Sequence, residues 1–375
     1  MVRRGARRTA PVRWHLVAPS VLAGLGFLFL VLAVSAFVGS TGYGVDFGAY
    51  YTAAGRLVEG SALYLPQNVQ APFRAGAPGL YVYSPALAVL LMPAALLPFV
   101  AAAFGWLLLH LAALVAGCAL MPVPRRVRMA GFGIAALSSP LLVDLNLGNV
   151  SVFVLLVAVV AWRWLDRPLG SMALAAGLAL RPQLGVVVIW WVARQRLRQV
   201  AWTITAGLVL LLVTLPFVGI EGYLQFGQVL RNAQVTAVAR NGALESTALL
   251  LGLPPPLATL ASLAGYAVAA AAIVVSLRRD RELSYVVTVS ASLLVTPLLW
   301  DHYLVLLLVP AAFLASRGRS WALALPLLGW LPQATISLAA LAGTLLPLLV
   351  LPAREDRVLA PTGPARPSRA SPATG

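Results

Sequence analysis

Long uninterrupted apolar runs alternate with short basic segments along most of the chain. Clear examples of these runs cover residues 17–37, 100–120 and 201–218. Each is close to the roughly 20 residues that an α-helix needs to cross the hydrocarbon core of a bilayer. Unpaired backbone groups are costly in lipid, so such runs are predicted to be helices, and the alternating pattern of a β-barrel strand is absent. The pattern predicts an all-α polytopic membrane protein.

The composition supports this prediction. The chain has 375 residues, of which 61% are hydrophobic and 10% are charged, whereas a soluble domain carries roughly 25% charged residues. The net charge of +16 comes from arginine alone, because the sequence contains no lysine. These arginines lie between the apolar runs, so we interpret them as topology determinants and expect no nucleic acid partner. The single cysteine, Cys118, excludes a disulfide within the chain.

The arginine clusters indicate the orientation of the spans. The rule that positive loops stay inside places the basic segment 3–13 in the cytoplasm. The same assignment places every later cluster there as well, namely residues 125–128, 163–167, 194–198, 278–281 and 317–319. It gives about ten spans, of which residues 129–143 and 283–299 both run outward. Both termini lie in the cytoplasm of a multi-pass plasma-membrane protein.

One transmembrane domain, residues 1–352, is predicted to precede a disordered cytoplasmic tail, residues 353–375. Its main outer loops are residues 38–99 and 219–256, and the first of these is predicted to contain a helix at 47–58. The apolar stretch 84–98 is short and bounded by prolines, so we interpret it as a surface or half-inserted segment.

The apolar segment 171–191 begins and ends beside arginine clusters that belong on one side of the membrane. Arg181-Pro182 lies near its middle, and proline breaks a helix there. Two half-helices that form a re-entrant hairpin satisfy both observations. Short turns on the outer face are predicted at residues 144–149 and 301–302.

Carboxylate, amide and imidazole side chains gather at the predicted outer boundary. They are Asp46, Asp144, Asn146, Asn149, Glu245, Asp301 and His302. Asp46 directly follows the first span, and an ionisable group at that depth is expensive and usually functional. An equally good interpretation of Asp46 is an N-cap for the helix that follows. Arg181, inside an apolar segment, either binds an anion or bonds to carbonyl groups, and we favour the anion.

Several short stretches occur in an order and spacing that carry a family resemblance. They are Asp46 with Tyr50 and residues 57–64, Tyr83-Ser84-Pro85, the turn Asn146 to Asn149, Arg181-Pro182-Gln183, and Thr296 to Tyr303 with Trp300, Asp301 and His302. The chain resembles the GT-C-fold glycosyltransferases of family 87, the polyprenyl-phosphate-mannose-dependent α-mannosyltransferases. It departs from the family pattern at Arg181, where a lysine is more usual, and at Ser84, where a second proline is usual.

The resemblance implies a GT-C-like helical bundle with outer juxtamembrane helices and a sugar transfer that inverts the anomeric carbon. The donor would be a polyprenyl-phosphate sugar, and the acceptor a glycolipid or lipoglycan on the non-cytoplasmic face. Asp46 would be the general base. The residues that would bind the donor phosphate or the substrates are Arg181, His302, Tyr50, Tyr83, Asn146, Asn149, Gln183, Trp300 and Asp301.

Two other functions remain open from the sequence. A transporter or flippase for a lipid-linked sugar would share the broken helix and the membrane arginine, but it would place polar groups through the whole bilayer depth. A GT-C enzyme with another lipid-linked sugar, such as arabinose or glucose, would share every motif. The sequence has no nucleotide-binding glycine loop and no cluster with metal-ligand spacing, so neither a cofactor nor a metal is predicted.

Overall fold

The chain is an all-α membrane protein. The computed structural model describes residues 14–38, 40, 42–74, 80–234, 238, 240–332 and 334–351. The basic segment 3–13 and the tail 353–375, for which the sequence predicts cytoplasmic positions and a disordered tail, lie outside the described residues. Besides helices, the described residues include two two-residue strands, β1 (Phe73–Arg74) and β2 (Ala233–Gln234), which pair in parallel.

The α-helices in the described residues are numbered here in chain order. They are α1 (Trp14–Val38), α2 (Val45–Val58), α3 (Pro66–Gln70), α4 (Pro85–Ala95), α5 (Phe99–Leu120), α6 (Arg125–Leu137), α7 (Ser139–Leu147), α8 (Ser151–Arg163), α9 (Pro168–Leu180), α10 (Gly185–Ala193), α11 (Leu197–Asn232), α12 (Leu244–Leu250), α13 (Pro255–Ser276), α14 (Arg281–Ala291), α15 (Leu308–Ser316) and α16 (Ala334–Val350). Short 3₁₀ helices cover Pro182–Leu184, Asp301–Leu307 and Ser320–Trp330.

Membrane-spanning length is confirmed for part of the bundle. Among the described residues, four helices are long and apolar enough to cross a bilayer, and they are α1, α5, α11 and α13. The pair α6 and α7 makes a fifth if the two are counted as one span with a bend of 63°. Shorter apolar helices of 10–17 residues occupy several of the other predicted span positions. The polytopic all-α fold is therefore confirmed, whereas the total of about ten spans stays a prediction.

Two glycines allow the backbones of α1 and α6 to come into contact. A Cβ on Gly133 would lie 2.5 Å from the carbonyl oxygen of Leu22, and a Cβ on Gly26 would lie 2.6 Å from that of Gly133. Small residues let membrane helices approach until their backbones touch, which is how helices associate without a hydrophobic driving force. This contact positions α6 against α1, and therefore also positions the bend at which α7 begins.

Three predicted boundaries change in the structure. The outward segment 129–143 is two helices, because Ser138 adopts an extended conformation and Pro140 begins a new helix. The turn predicted at 144–149 is shorter, since α7 continues to Leu147. The span predicted at 283–299 is helical only to Ala291, and the apolar residues after it run in turns and irregular backbone.

A helical hairpin lies where the re-entrant hairpin is predicted, and its membrane placement stays a prediction. The helix α9 ends at Leu180, Arg181 is extended with φ −147° and ψ 101°, and the chain returns through the 3₁₀ turn and α10. Asp166 precedes α9 and Arg196 follows α10, and their side chains approach to 3.9 Å, so both ends lie at one face of the bundle. With 13 residues, α9 is about 20 Å long, which is shorter than the hydrocarbon core.

Four arginine-rich loops meet at that same face. Besides Arg196, Asp166 also contacts Arg281, and Arg317 lies 3.5 Å from Glu282. The helices α8 and α9 lead from this face to the Asn149 turn and to Arg181 at their other ends. The arginine clusters and the predicted site therefore lie at opposite ends of these two helices.

Candidate active site

A cavity of about 530 Å³ opens where α2, the turn after α7, the break between α9 and α10, and the segment 295–303 converge. Nine of the ten site residues predicted from the sequence line it, namely Asp46, Tyr50, Tyr83, Asn149, Arg181, Gln183, Trp300, Asp301 and His302. The tenth, Asn146, does not. Its carbonyl oxygen accepts the Gly44 N–H at 2.8 Å, so it supports the start of α2 instead.

Asp46 is the second residue of α2, and it does not cap that helix. The cap position is Gly44, with φ 73°, and no side chain caps the helix end. The Asp46 carboxylate accepts a hydrogen bond from Asn149 Nδ2 at 2.6 Å. A carboxylate in the first helical turn is also stabilised by the positive end of the helix dipole. The capping interpretation is therefore wrong, and the carboxylate is held at the cavity wall.

Asn149 joins the acidic and basic sides of the cavity. Its Oδ1 accepts the Val150 N–H at 2.7 Å and a guanidinium N–H of Arg181 at 2.6 Å. A backbone N–H can only donate, so these bonds fix the amide with its oxygen toward Arg181. Nδ2 then faces Asp46 and also donates to Tyr83 Oη at 3.0 Å. One side chain thus sets the spacing between Asp46 and Arg181.

The Asn149 turn is itself tightly supported. Gly148 has φ 67°, and a Cβ there would lie 2.8 Å from the Cβ of Phe47 in α2. Its carbonyl accepts from Trp106 Nε1 at 2.8 Å. His110 Nε2 contacts the Asn149 carbonyl oxygen. Only glycine suits a position that combines positive φ with such close packing, so the turn and α2 are locked together.

Asp144 has a structural position that differs from the prediction. It was grouped with the residues of an outer turn, but it lies in the last turn of α7 and is fully buried. Its carboxylate accepts the N–H groups of Ser151 and Val152 at 3.0 and 3.2 Å, which are free donors at the start of α8. His110 Nε2 lies 3.6 Å away. Asp144 therefore orders the helix that follows Asn149.

Arg181 is buried, with 6% of its surface exposed, and it faces the cavity. Its guanidinium lies 3.5 Å from the centroid of the Tyr303 ring and donates to Asn149 and, at 3.4 Å, to Ser151 Oγ. Among the described residues, no carboxylate lies within the 4.0 Å that defines an ion pair with Arg181. Its hydrogen bonds to Asn149 and Ser151 use one guanidinium nitrogen, so other N–H donors remain for a ligand. Cation–π contact compensates part of the desolvation, and an incoming anion would compensate the rest.

His302, Asp301 and Arg240 form a linked group at the cavity rim. Asp301 Oδ2 accepts from Arg240 at 2.9 Å, and Asp301 Oδ1 lies 3.3 Å from His302 Nδ1. Burial alone would raise the pKa of Asp301, but the hydrogen bond and charge of His302 and the charge of Arg240 hold it below its usual value. His302 Nε2 is buried without a hydrogen-bond partner in the described part of the chain. That nitrogen is available to a substrate.

Aromatic rings form the remaining wall. Tyr50 and Tyr83 meet edge to face with centroids 4.8 Å apart, and burial raises the pKa of Tyr83. Trp300 is fixed by an antiparallel bridge to Asn241, and Gln183 lies in the 3₁₀ turn after Arg181. The hydroxyl groups and ring faces suit a sugar, which presents both hydroxyl groups and apolar C–H faces.

Sequence reasoning missed contributors to this site. Tyr303, which stacks on Arg181, ends one of the motifs that carry the resemblance but is not among the predicted site residues. Arg240 lies in the predicted outer loop 219–256, and its ion pair with Asp301 joins positions 61 apart in the chain. His110 lies inside an apolar run, and an ionisable residue at that depth is by itself a functional signal.

Ser84 explains one departure from the family pattern. Its hydroxyl donates to the carbonyl oxygen of Ala179 at 2.6 Å. The last carbonyls of a helix lack partners, and Pro182 has no N–H to offer α9. The serine therefore pins the end of the helix that carries Arg181.

We expect Ser84→Ala to lower the free energy of unfolding by about 1–2 kcal/mol, because the Ala179 carbonyl is left buried and unpaired. Thermal denaturation of the purified protein in detergent measures the effect. Ser35→Ala is the matched control, since that exposed hydroxyl bonds only to Val31 on its own helix. Equal melting temperatures for the two variants would contradict the assigned role of Ser84.

The model of glycosyltransferase family 87 matches residues 81–300, which is more than half of the chain. The chain belongs to glycosyltransferase family 87. No curated protein and no solved structure matches it. This family 87 member is therefore a membrane glycosyltransferase, and the family favours an enzyme over the transporter alternative.

The matched segment contains only part of the cavity of this glycosyltransferase. Tyr83, Asn149, Arg181 and Trp300 lie within it. Asp46 precedes it and His302 follows it, yet both line the same cavity. The cavity therefore combines family positions with residues that the match itself does not cover, and the roles of all of them stay predictions.

Proposed function

We propose that this enzyme transfers mannose from polyprenyl-phosphate-mannose to a glycolipid or lipoglycan acceptor, with inversion at the anomeric carbon. One observation carries the proposal. Asn149 bridges Asp46, a candidate base, and Arg181, a buried cation without a carboxylate partner, across one cavity. A base and an anion site held at fixed spacing are what displacement of a lipid phosphate requires.

The donor phosphate binds beside Arg181. A guanidinium with donors to spare binds phosphate oxygens in a fork, and desolvation makes such a bond stronger than in water. Its ring contact with Tyr303 orients the guanidinium plane. As the bond from the anomeric carbon to the phosphate oxygen breaks, negative charge grows on that oxygen, and Arg181 stabilises it.

Asp46 accepts the proton of the attacking acceptor hydroxyl. The acceptor oxygen then bonds to the anomeric carbon from the side opposite the phosphate, and the polyprenyl phosphate leaves as a stable anion. Asn149 Nδ2 occupies one oxygen of the carboxylate, so the other oxygen is directed to the hydroxyl. The leaving group needs no proton at departure, so one base is sufficient.

His302 adds a second contact to the phosphate. Burial lowers the pKa of His302, while the hydrogen bond that its Nδ1–H donates to the Asp301 carboxylate opposes that effect. Arrival of an anion at the unpartnered Nε2 favours the doubly protonated ring, whose other N–H is already directed to Asp301. Arg240 keeps Asp301 ionised in this arrangement.

The active site faces the non-cytoplasmic side of the plasma membrane in this proposal. The support is indirect: the cavity and the arginine-rich face lie at opposite ends of α8 and α9, and arginine-rich loops stay in the cytoplasm. A lipid-linked donor is the natural choice on that side, because it reaches a site at bilayer depth by diffusion in the membrane.

The test is transfer by the purified protein in detergent with labelled polyprenyl-phosphate-mannose and a phosphatidylinositol mannoside acceptor. We expect a mannosylated product from this donor and none from GDP-mannose. Parallel reactions with polyprenyl-phosphate-arabinose and polyprenyl-phosphate-glucose test the sugar. If only one of these donors gave a product, its sugar would replace mannose in the proposal. If the protein in vesicles moved the donor across the membrane without forming any product, the flippase alternative would be supported instead.

A further inference from the structure

Two further arginines lie at the arginine-rich face, away from the cavity, without a carboxylate partner among the described residues. Arg194 follows α10 and Arg279 precedes α14, and a guanidinium N–H of Arg194 donates to the backbone carbonyl oxygen of Arg279 at 2.9 Å. In the described residues, Arg194 Nε and Arg279 Nη1 are both buried and have no hydrogen-bond partner. The Arg194 guanidinium also lies 5.8 Å from the centroid of the Trp190 ring, and each of the two arginines retains a donor without an acceptor in the described part of the chain.

The neighbouring arginines differ from Arg194 and Arg279 because they form ion pairs with acidic side chains. Asp166 contacts Arg196 and Arg281. Arg317 lies 3.5 Å from Glu282. No carboxylate of the described chain comes within 4.0 Å of Arg194 or Arg279.

The nearest acid is already engaged. Asp280 caps α14 by accepting the Leu283 N–H at 3.0 Å, and it also lies 4.0 Å from Arg317. Burial and the nearby charge of Arg196 lower the pKa of Arg194, and Asp280 only partly opposes this. Buried guanidinium donors without acceptors are costly. An external anion is the acceptor that fits.

We propose that Arg194 and Arg279 bind the phosphate of an anionic phospholipid headgroup. The apolar surface beside them supports a lipid over a free ion. Ile189 and Val192 of α10 are 66% and 50% exposed, and Val274 and Val275 at the end of α13 are 62% and 53% exposed. These side chains precede the arginines on helices that lead into the membrane, where they flank an acyl chain attached to a bound headgroup.

The test is native mass spectrometry of the full-length protein released from detergent that contains equal phosphatidylglycerol and phosphatidylcholine. We expect wild-type protein to retain phosphatidylglycerol preferentially, and Arg194→Gln combined with Arg279→Gln to retain at least about tenfold less, because two charge-assisted bonds are lost. The control is Arg125→Gln combined with Arg126→Gln. It removes the same charge from two exposed positions in the first turn of α6 and should behave as wild type.

Further arms separate a specific site from general charge and from free phosphate. Equal loss in the test and control variants would mean that only net charge attracts the lipid, and would overturn the proposal. Displacement of phosphatidylglycerol by millimolar inorganic phosphate would assign the site to a free ion. If the glutamine variant fails to fold, Arg194→Lys combined with Arg279→Lys replaces it, because this variant keeps both charges but loses the forked donors. We expect it to retain less phosphatidylglycerol than wild type. Absence of any preference for phosphatidylglycerol in the wild-type protein would refute the proposal.

Discussion

Asp46→Asn is expected to reduce sugar transfer by about 10²–10⁴-fold, the usual contribution of a general base. The amide keeps the shape of the carboxylate and can still accept from Asn149 Nδ2, so the cavity is preserved. It cannot take a proton from the acceptor hydroxyl. The KM for the donor should change little, because Arg181 and His302, and not Asp46, bind the donor phosphate in the proposed mechanism. Initial rates with labelled donor, measured with both substrates varied, separate the two parameters.

Glu59→Gln is the matched control for this prediction. Glu59 lies at the other end of α2, is exposed and does not line the cavity. Its variant should transfer at the wild-type rate. If Asp46→Asn also retained the wild-type rate while folding normally, another group would be the base, and Asp301 would be the next candidate because it is the other acid in the cavity wall.

Replacement of Arg181 gives the second large effect. We expect Arg181→Met to lower kcat/KM for the donor by 100-fold or more, since a charge-assisted bond to phosphate contributes roughly 1.5–3 kcal/mol and the developing charge adds to it. Arg181→Lys should retain far more activity, because it keeps the charge but loses the fork and the ring stacking. The family pattern, in which a lysine is usual here, points the same way.

Thermal stability distinguishes a binding role from a structural one. Methionine matches much of the arginine volume and leaves no unpaired buried charge, so Arg181→Met should melt at or above the wild-type temperature. Loss of both activity and stability in this variant would mean that Arg181 holds the hairpin together. Wild-type activity of Arg181→Met would remove the anion site from the mechanism, because that variant has no cation at this position.

Much of the fold could be predicted from local pattern. The helix predicted at 47–58 is observed at Val45–Val58. The helix α9 ends just before Arg181-Pro182, as predicted, because the residue before a proline disfavours the α-helical conformation. The span expected to end at 218 does kink there, since Gly219 has φ 63°. The end of α14 at Ala291 was not predictable. The residues that follow are still apolar, and hydropathy reports composition without the path that the backbone takes around a cavity.

The site was predictable where a residue is chemically out of place. Asp46, Arg181 and His302 stand out because charged or imidazole groups in apolar surroundings need a reason. Asn149 was predicted, but its role as the bridge was not, because an amide that joins two elements depends on their tertiary placement. Arg240 was missed for the same reason: its partner lies far along the chain, and nothing local marks the pair.

The hairpin that carries Arg181 also constrains how the protein is made. An arginine inside an apolar segment opposes membrane insertion, and its stacking partner Tyr303 is synthesised long after it. During translation the two half-helices therefore emerge without the ring that shields the guanidinium. We expect them to reach their final depth only after the segment with Tyr303 has been synthesised, so that assembly of the cavity is completed from its last helices backwards.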